Sequence, residues 1–367
     1  IPRGRDPEAD QYAPLISVVV TSVDRSSRST IATVESLQRQ QYLNWELIVV
    51  CSSAVGETDL PFRGDSLGVD RQVVRFVAVG AEHHDHLARG ILASSGEFIW
   101  CMSNGDRLVP HALSSVVEML NEKSDADLLY CDEDRGSEDE ACTVPFFKPS
   151  WSPELLLSMN YLSYTAVFRR TFLHDIVISS QGSGVLYLYD YILVSAEKTK
   201  KIVHIPKVLY HSRGDSSGRA DGEKAALERS LRRRNVHGLV EEVRQGRFRI
   251  RYRLTRSPLV SIVIPTKDRT AFLKRCLSSI ERGTSYSPYE IVVMDNGSVS
   301  GDMLRYLEDV GKTWRVIACP GRFNFSLLNN RGAAEAQGEY LLFLNDDTEV
   351  ISRDWLAIML EQATRPG

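Results

Sequence analysis

The sequence has no apolar run as long as the roughly 18 residues that span a membrane. Its start, IPRGRDPEADQYAP, has no signal-peptide core. We therefore expect a cytoplasmic protein rather than an integral membrane or secreted one. The start also lacks an initiator Met, so we expect a fragment or a processed product. With 367 residues, the chain is long enough for two or more domains, each with its own core.

Several familiar binding motifs are also missing. No Gly-x-Gly-x-x-Gly or Walker loop is present, which disfavours a dehydrogenase or an ATPase. None of the six cysteines forms a Cys-x-x-Cys pair, so we expect reduced, structural thiols rather than zinc ligands or disulfides. The formal net charge of −4 gives no general reason to expect nucleic acid as a partner.

What the sequence does contain is a repeat of its own strands. PLISVVVTSVDR, which starts at Pro14, resembles PLVSIVIPTKDR, which starts at Pro258. The same spacing relates WELIVVCSS to YEIVVMDNG. The match continues, at a slightly shorter spacing, from GEFIWCMSNGDRLVP (96–110) to GEYLLFLNDDTEVIS (338–352). A repeat of this length indicates duplicated domains rather than solenoid units.

Each copy alternates apolar strands with amphipathic helices. The β-branched runs ISVVV and VSIVI are followed by helical patterns such as AFLKRCLSSIER and then by a second buried strand. Short, near-continuous apolar strands separated by helices indicate a parallel sheet covered on both faces. The predicted fold class is therefore α/β, with ligands at the carboxyl ends of the strands.

These patterns divide the chain into four segments. We expect an N-terminal tail at 1–13, a first domain at 14–213 and a shorter second domain at 258–367. The connecting segment 214–257 contains a predicted helix, EKAALERSLRRRNVHG, ended by Gly238. It continues into RFRIRYRL, in which arginines alternate with apolar residues as in a two-faced strand.

The order and spacing of several motifs carry a family resemblance. PTKDR (265–269) follows the first strand of the second copy, VVMDNGS ends the second strand, and NNRGAAEAQGEYLLFLNDDTEV contains the third. Together they resemble family 2 glycosyltransferases of the GT-A fold. The first copy, with CDED, FKPSWSPELL and HIPKVLYH, is similar to tandem members that build bacterial surface polysaccharides, such as rhamnosyltransferase-like proteins.

The resemblance implies both an architecture and a reaction. The architecture is two tandem GT-A domains with Rossmann-like, mostly parallel sheets, the second of them truncated. The reaction is transfer of a hexose, with inversion, from a nucleotide-diphosphate sugar to a glycan or lipid-linked acceptor. The alternative is a non-catalytic module that binds a glycan, a partner or the membrane.

The resemblance also assigns roles to residues of the second copy. Asp295 would bind the nucleobase, and the chain reads Asn345-Asp346-Asp347 at the Asp-x-Asp turn. Asp347 is the better metal ligand, with Asp346 as a second ligand near the ribose or diphosphate. Further nucleotide-sugar contacts are implied for Pro265, Thr266, Asp268 and Asn330.

A divalent cation, Mn or Mg, is the implied cofactor. Such a hard cation prefers carboxylate oxygens and stabilises the negative charge that forms on the leaving diphosphate. The competing interpretation is that these acids merely cap the helices that follow the strands.

The first copy lacks most of these groups. Its counterpart of Asp295 is Cys51, and the Asp-x-Asp turn reads Ser103-Asn104-Gly105 with Asp106 behind it. Asp268 survives as Asp24. Because a thiol and a glycine cannot replace these carboxylates, we predict that the first domain is catalytically degenerate.

The general base that deprotonates the acceptor is also in question. The tandem members that the first copy resembles often read Gln-Asp-Tyr-Asp-Leu before a helix, and the resemblance implies that the first Asp is the base. Aligned backward from Glu197-Lys198-Thr199, the first copy has Leu188 at this position, and a slip of two residues would place Asp190 there. In the second copy the base would lie beyond Gly367.

Other charged clusters are interpreted as solvated surface. His83-His84-Asp85-His86 is too tightly packed for one helix face, and CDEDRGSEDEA (131–141) lacks the spacing of an EF-hand. The arginines from Arg232 onward lack the aromatic platform of a nucleic-acid site. Their alternative interpretation is peripheral contact with anionic lipid at the inner face of the plasma membrane.

Overall fold

The structure is a computed structural model, and it describes residues 12–21, 28–52, 74–79, 86–136, 144–180, 186–213 and 219–365. The chain divides into two compact units. Unit 1 consists of residues 1–235 and 240–250, and unit 2 consists of residues 236–239 and 251–367.

Unit 1 contains one large curved sheet. Its described strands are β1 (Ile16–Thr21), β2 (Trp45–Ser52), β3 (Val74–Val79), β4 (Phe98–Ser103), β5 (Arg107–Leu108), β6 (Leu128–Arg135), β7 (Val144–Phe146), β8 (Ala166–Arg169) and β9 (Ile202–Ser212). Their order is β3-β2-β1-β4-β8-β6-β9-β5, with β7 paired to β6. The half from β3 to β4 is parallel, whereas β8 runs antiparallel to both of its neighbours.

Helices cover this sheet. They are α1 (Arg28–Gln38), α2 (His86–Ala93), α3 (Ala112–Glu122), α4 (Pro153–Ser158), α5 (Arg170–Ser179), α6 (Leu188–Lys198) and α7 (Arg219–Arg233). Helix α7 ends earlier than predicted, because Asn235 adopts a left-handed conformation with φ of 52°. Gly238 instead begins strand β10 (Gly238–Arg244), which pairs with β11 (Arg247–Tyr252).

Unit 2 contains a smaller sheet that is parallel throughout. Its described strands are β12 (Val260–Thr266), β13 (Tyr289–Asp295), β14 (Arg315–Ala318) and β15 (Tyr340–Phe343), in the order β14-β13-β12-β15. Its helices are α8 (Thr270–Gly283), α9 (Gly301–Val310), α10 (Phe325–Glu335) and α11 (Trp355–Ala363). Strand β12 is buried along its whole length, as expected for a central strand with helices on both faces. The predicted α/β class with mostly parallel sheets is confirmed.

The two sheets share a strand register. In unit 1, Ile16 lies opposite Trp45 of β2 and Phe98 of β4. In unit 2, the corresponding pairs begin at Val260, which lies opposite residues of β13 and β15. These are the positions that the sequence repeat aligns.

A serine, a glutamate and a glycine also join the central strands of each unit in the same way, and the serine is buried in both units. In unit 2, Ser261 Oγ donates to Glu290 Oε1 at 2.5 Å and accepts from the backbone N–H of Gly338 at 2.8 Å. In unit 1 the same two bonds, at the same distances, are made by Ser17, Glu46 and Gly96. The repeat in the sequence is therefore also a repeat of specific hydrogen bonds.

The cysteines described by the structure are buried thiols, and none of them takes part in a disulfide: Cys51, Cys101, Cys131, Cys276 and Cys319. Burial raises the pKa of Cys101 and Cys131 to about 12, so these thiols remain protonated at neutral pH. Cys142 lies outside the described residues. Within the described part of the chain, no helix is long and apolar enough to cross a membrane.

Candidate functional site

Four of the predicted site residues of unit 2 lie at one edge of its sheet. Strand β12 ends at Thr266 and β13 ends at Asp295, while Asp346 and Asp347 follow β15. These strands are parallel neighbours, so their carboxyl ends lie at the same edge. Pro265 is buried in β12, one residue before this edge.

Asp346 is a buried carboxylate with two partners. Its side chain is only 5% exposed, and its oxygens accept from Thr266 Oγ1 at 2.8 Å and from Arg269 Nη1 at 3.0 Å. A buried charge is stable only when it is paired and hydrogen-bonded in this way. In this structure Thr266 therefore positions the acidic turn.

Asp347 is the accessible carboxylate of the turn. Its side chain is 44% exposed, and its Oδ2 lies 3.4 Å from Arg269 Nη2. No group of three or more His, Cys, Asp or Glu side chains within the described ranges is arranged to hold a metal ion. Two adjacent carboxylates fit a hard cation that takes its remaining ligands from phosphate and water.

Asp295 closes the turn between β13 and α9. It is buried, and its Oδ1 accepts from both Ser298 Oγ at 2.5 Å and Ser298 N at 3.1 Å. Its backbone carbonyl accepts from Cys319 N at 2.7 Å, which ties the end of β14 to the same edge. The carboxylate thus makes the contacts expected of a turn cap, at the edge where the nucleobase is expected.

Asp268 caps the segment that leads into α9. Its Oδ1 accepts from the backbone N–H groups of Ser300 and Val299, each at 2.8 Å, and these two bonds hold the pKa of this exposed carboxyl below its usual range. Its φ of 49° is left-handed, a conformation that Asp tolerates better than most residues. Its counterpart Asp24 lies outside the described residues.

The two asparagines of α10 differ in burial. Asn330, which the sequence singled out, is exposed. Asn329 is buried and donates to the carbonyl of Phe325 at 2.9 Å, but its Oδ1 has no partner among the described residues. The packing of α10 decides which of the two asparagines is buried, and the spacing of the motif does not predict this packing.

A cavity of about 570 Å³ lies where β13 and β14 end. Asn296 lines it and donates to the carbonyls of Cys319 at 3.0 Å and Gly321 at 3.2 Å. Arg331 lines the same cavity and contacts Cys319 Sγ at 3.0 Å. The sequence reasoning missed both residues, although Asn296 directly follows Asp295 and Arg331 directly follows Asn330.

The corresponding turn of unit 1 is occupied by an arginine. Gly105, at the position of Asp347, has φ of 97°, and a Cβ there would lie 2.7 Å from Cδ and 2.8 Å from Nη1 of Arg213. The guanidinium of Arg213 donates to Ser29 Oγ, and its backbone N–H donates to Asp106 Oδ1 at 3.0 Å. The space for a ligating side chain is therefore filled, and by a positive charge.

Asp106, the remaining acid of that turn, is also engaged. It is buried and accepts from Tyr210 OH at 2.6 Å as well as from Arg213. Burial and the neighbouring carboxylate raise the pKa of Tyr210 well above its ordinary value, so the phenol stays a hydrogen-bond donor. Asp106 thus supports the turn rather than replacing a missing metal ligand.

Neither candidate base of unit 1 is an unpaired carboxylate. Leu188 is buried at the start of α6. Asp190 is 1% exposed and accepts from Arg229 Nε and Nη2, each at 2.7 Å, and from Tyr187 N at 2.9 Å. This bidentate pair joins α6 to α7, so a two-residue slip of the alignment would not supply an available base.

The interpretation of CDED as solvated surface is wrong. Asp132, Glu133 and Asp134 are all buried in β6, where neighbouring strands cover them and basic side chains pair with them. Asp132 Oδ1 accepts from Lys148 N at 2.9 Å and lies 2.8 Å from His204 Nε2. Those partners come from distant positions in the chain, so the local sequence gave no sign of them. The acids of this segment at 138–140 lie outside the described residues.

One of these buried acids, Glu133, lines a second cavity, of about 360 Å³, within unit 1. Its lining includes Glu133, Asn160, Tyr164, Glu223, Arg244 and Arg247. The last two belong to the tip of the β10–β11 hairpin. Planar polar groups and an aromatic ring thus surround one opening.

The arginine-rich strand is only partly solvated. Phe248 and Ile250 of β11 are buried and alternate with arginines, as predicted. In unit 2, however, Arg251 donates from Nε at 3.0 Å and Nη2 at 2.8 Å to Glu361. The histidine cluster lies outside the described residues except for His86.

Comparisons with known proteins give the following matches. Residues 261–367 match the family model described as glycosyl transferase family 2. An uncharacterized protein of Sinorhizobium fredii is 33% identical over 97% of this chain and 41% of its own length. The O-antigen biosynthesis protein RfbC of Myxococcus xanthus is 31% identical over 96% of this chain and 29% of its own length. The chain thus spans less than half the length of these curated relatives.

Solved structures show more distant likenesses. The S. aureus TarS fragment 1–349 has a TM-score of 0.46 and 13% identity, covering 59% of this chain and 65% of that one. A mannosyltransferase from Pyrobaculum calidifontis, solved with GDP-Man and Mn²⁺, has a TM-score of 0.43 and 12% identity, covering 60% of this chain and 65% of that one.

Proposed function

We propose that unit 2 binds a nucleotide-diphosphate sugar together with a divalent cation, a proposal supported by the match of residues 261–367 to the model of glycosyl transferase family 2. The observation that supports this most strongly is the convergence of Asp295, Asp346 and Asp347 on one edge of a parallel sheet. An open cavity lies at the same edge. Ligands of open α/β sheets bind at this edge.

Each residue has a proposed role that follows from its contacts. Asp347, the accessible acid, would hold the cation, while Thr266 keeps Asp346 oriented beside it. When bound, Mn²⁺ or Mg²⁺ supplies Lewis-acid stabilisation of the leaving diphosphate. Asp295 and Asn296 would border the nucleobase, because both lie where β13 ends beside the cavity.

The acceptor is proposed from the relatives. O-antigen biosynthesis in the name of a relative favours a glycan or lipid-linked acceptor in cell-surface polysaccharide synthesis. Transfer of a hexose with inversion, at the inner face of the membrane, is the corresponding proposal for the whole protein.

The donor proposal predicts metal-dependent nucleotide binding. We expect the full chain to bind at least one member of a panel of UDP-, GDP- and dTDP-sugars, with affinity about tenfold weaker when Mn²⁺ is omitted. Isothermal titration calorimetry with and without Mn²⁺ measures this. A chain that is folded but binds none of the panel would contradict the proposal.

For unit 1 the observations favour a second function, namely non-catalytic glycan binding. Arg213 fills the turn at Gly105 and Asp190 is held by Arg229, which disfavours donor chemistry in unit 1. The cavity beside Tyr164, by contrast, is open and lined by planar polar groups, which suit vicinal hydroxyls.

Replacing an exposed arginine at the mouth of this cavity tests the glycan proposal. We expect Arg244→Gln to weaken binding of purified O-antigen oligosaccharide about tenfold, because a charged hydrogen-bond donor is lost. Arg39→Gln, at an exposed residue directly after α1 and outside the cavity, is the control. Equal affinities of both variants and the wild-type chain, measured by calorimetry, would refute glycan binding at this cavity.

A further inference from the structure

One cation of unit 2 contacts both acids of the turn. Arg269 Nη1 lies 3.0 Å from Asp346 Oδ1, and Nη2 lies 3.4 Å from Asp347 Oδ2. The guanidinium carbon lies 4.3 Å from the ring centre of Phe272, which is a stabilising cation–π contact. A half-exposed side chain of the chain itself therefore occupies the place next to both proposed metal ligands.

The two contacts of Arg269 are unequal. The bond to Asp346 has ordinary length and joins a carboxylate that Thr266 also holds. The contact with Asp347 is longer than a normal N–H···O bond, and Asp347 is exposed. Because exposed ion pairs are weak, the contact with Asp347 is the one that an arriving cation can replace.

The position of Arg269 also suits an anion. It immediately precedes α8 (Thr270–Gly283), whose first backbone N–H groups favour negative charge at that end. Guanidinium groups bind phosphate oxygens in a bidentate manner. After its release from Asp347, the guanidinium of Arg269 would need only a small rotation to move from the carboxylate oxygens to phosphate oxygens in the same region.

We propose that Arg269 is a placeholder cation of the donor site, an inference that rests on the proposed function of unit 2. Without ligand, its guanidinium neutralises Asp346 and Asp347. Metal binding at Asp347 displaces it, and it then binds the diphosphate of the donor. Arg269 is thus a positioning residue that couples metal binding to diphosphate binding.

Unit 1 provides the contrast. Its turn also carries a guanidinium, that of Arg213, but Asn104 and Gly105 replace the two acids. Arg213 is anchored through Ser29 and through its backbone to Asp106. The turn of unit 1 thus has no pair of carboxylates that a metal could take over from Arg213. Arg269 contacts two such carboxylates.

The test compares two binding steps in the full chain. Free Mn²⁺ is measured by electron paramagnetic resonance without nucleotide, and UDP and GDP binding is measured by calorimetry at saturating Mn²⁺. In Arg269→Gln we expect Mn²⁺ alone to bind about threefold more tightly, since a competing cation is gone. We expect the nucleoside diphosphate bound by the wild-type chain to bind about tenfold more weakly, since a phosphate contact is lost.

Arg275→Gln is the matched control. Arg275 lies on α8 and is the next arginine after Arg269 in the chain, with its guanidinium carbon 5.6 Å from the Phe272 ring centre, whereas the ion pairs of Asp346 and Asp347 are made by Arg269. Both affinities should stay at their wild-type values. Arg269→Lys, which keeps the charge but not the bridging fork, should restore part of the diphosphate affinity.

The proposal predicts changes of opposite sign in Arg269→Gln, namely a higher affinity for Mn²⁺ and a lower affinity for the nucleoside diphosphate. If Arg269 were only structural, the substitution would lower both affinities together or change neither, and either result would overturn the proposal. The absence of Mn²⁺ binding in both the wild-type chain and the variant would also overturn it. If the wild-type chain bound Mn²⁺ but neither diphosphate, the donor function of unit 2 would fail instead, while the Mn²⁺ titration would still decide whether Arg269 competes.

Discussion

Replacing Asp347 by Asn is expected to abolish the metal dependence of nucleotide-sugar binding. Affinity in the presence of Mn²⁺ should fall by about tenfold, equivalent to about 1.4 kcal/mol, to the level of the metal-free wild-type chain. Asp347 is the exposed acid of the turn, whereas Asp346 is buried and held by Thr266 and Arg269. A neutral amide in its place removes the negative charge that a hard cation requires.

Calorimetry of matched variants checks this expectation. Asp309→Asn changes another exposed acid of unit 2, which pairs with Lys312 three residues further on, and should bind like wild type. Metal-dependent binding that persists in Asp347→Asn would show that another group holds the cation. Loss of binding in Asp106→Asn but not in Asp347→Asn would place the donor site in unit 1.

Replacing Gly338 by Ala is expected to destabilise unit 2 by about 3 kcal/mol. A Cβ there would lie 2.7 Å from the carbonyl oxygen of Leu259, 2.7 Å from the backbone nitrogen of Ser261 and 2.7 Å from Ser261 Oγ. Two of these atoms belong to the backbone leading into and forming β12, which cannot move without disturbing the central strand. The bond from Gly338 N to Ser261 Oγ would be lost as well.

Gly301→Ala is the control for this effect. A Cβ at Gly301, the first residue of α9, would meet nothing within 4 Å, so its stability should match wild type or rise slightly because Ala favours a helix. Guanidinium denaturation followed by circular dichroism gives the comparison. Equal unfolding midpoints for the two variants would show that the close approach at Gly338 carries no energetic cost.

Much of the fold could be predicted because strands carry local patterns. The runs ISVVV and VSIVI form the central parallel strands β1 and β12. The repeat predicted that Val260 and Ile16 have corresponding neighbours, and both strands pair in the same register. Continuous apolar runs are local signals, since every residue of such a strand is covered by helices.

Part of the site could be predicted for the same reason. Asp295 is the last residue of an apolar strand and Asp347 lies four residues after the end of another, so their placement at one edge follows from strand polarity alone. Their hydrogen bonds could not be predicted. Whether Asp295 caps a turn through Ser298, or Asp268 through Ser300, depends on loop geometry rather than on spacing.

The burial of charge was the largest error, and it has a physical cause. From the sequence, Asp132 is interpreted as a surface acid and Asp190 is considered as a possible base, yet both are buried with basic partners that lie far away in the chain. Burial of a carboxylate depends on whether a partner compensates its lost hydration. Only the folded chain brings such partners together.

The sequence by itself determined the α/β architecture, the internal repeat and the loss of acids from the first copy, because these properties reside in local runs and in the identity of single residues. The tertiary structure alone decided what occupies each turn. Arg213 fills the turn of unit 1 from more than one hundred positions away in the chain, while Arg269 bridges the acids of unit 2. Long-range contacts of this kind are chosen by packing and charge compensation, which no local pattern encodes.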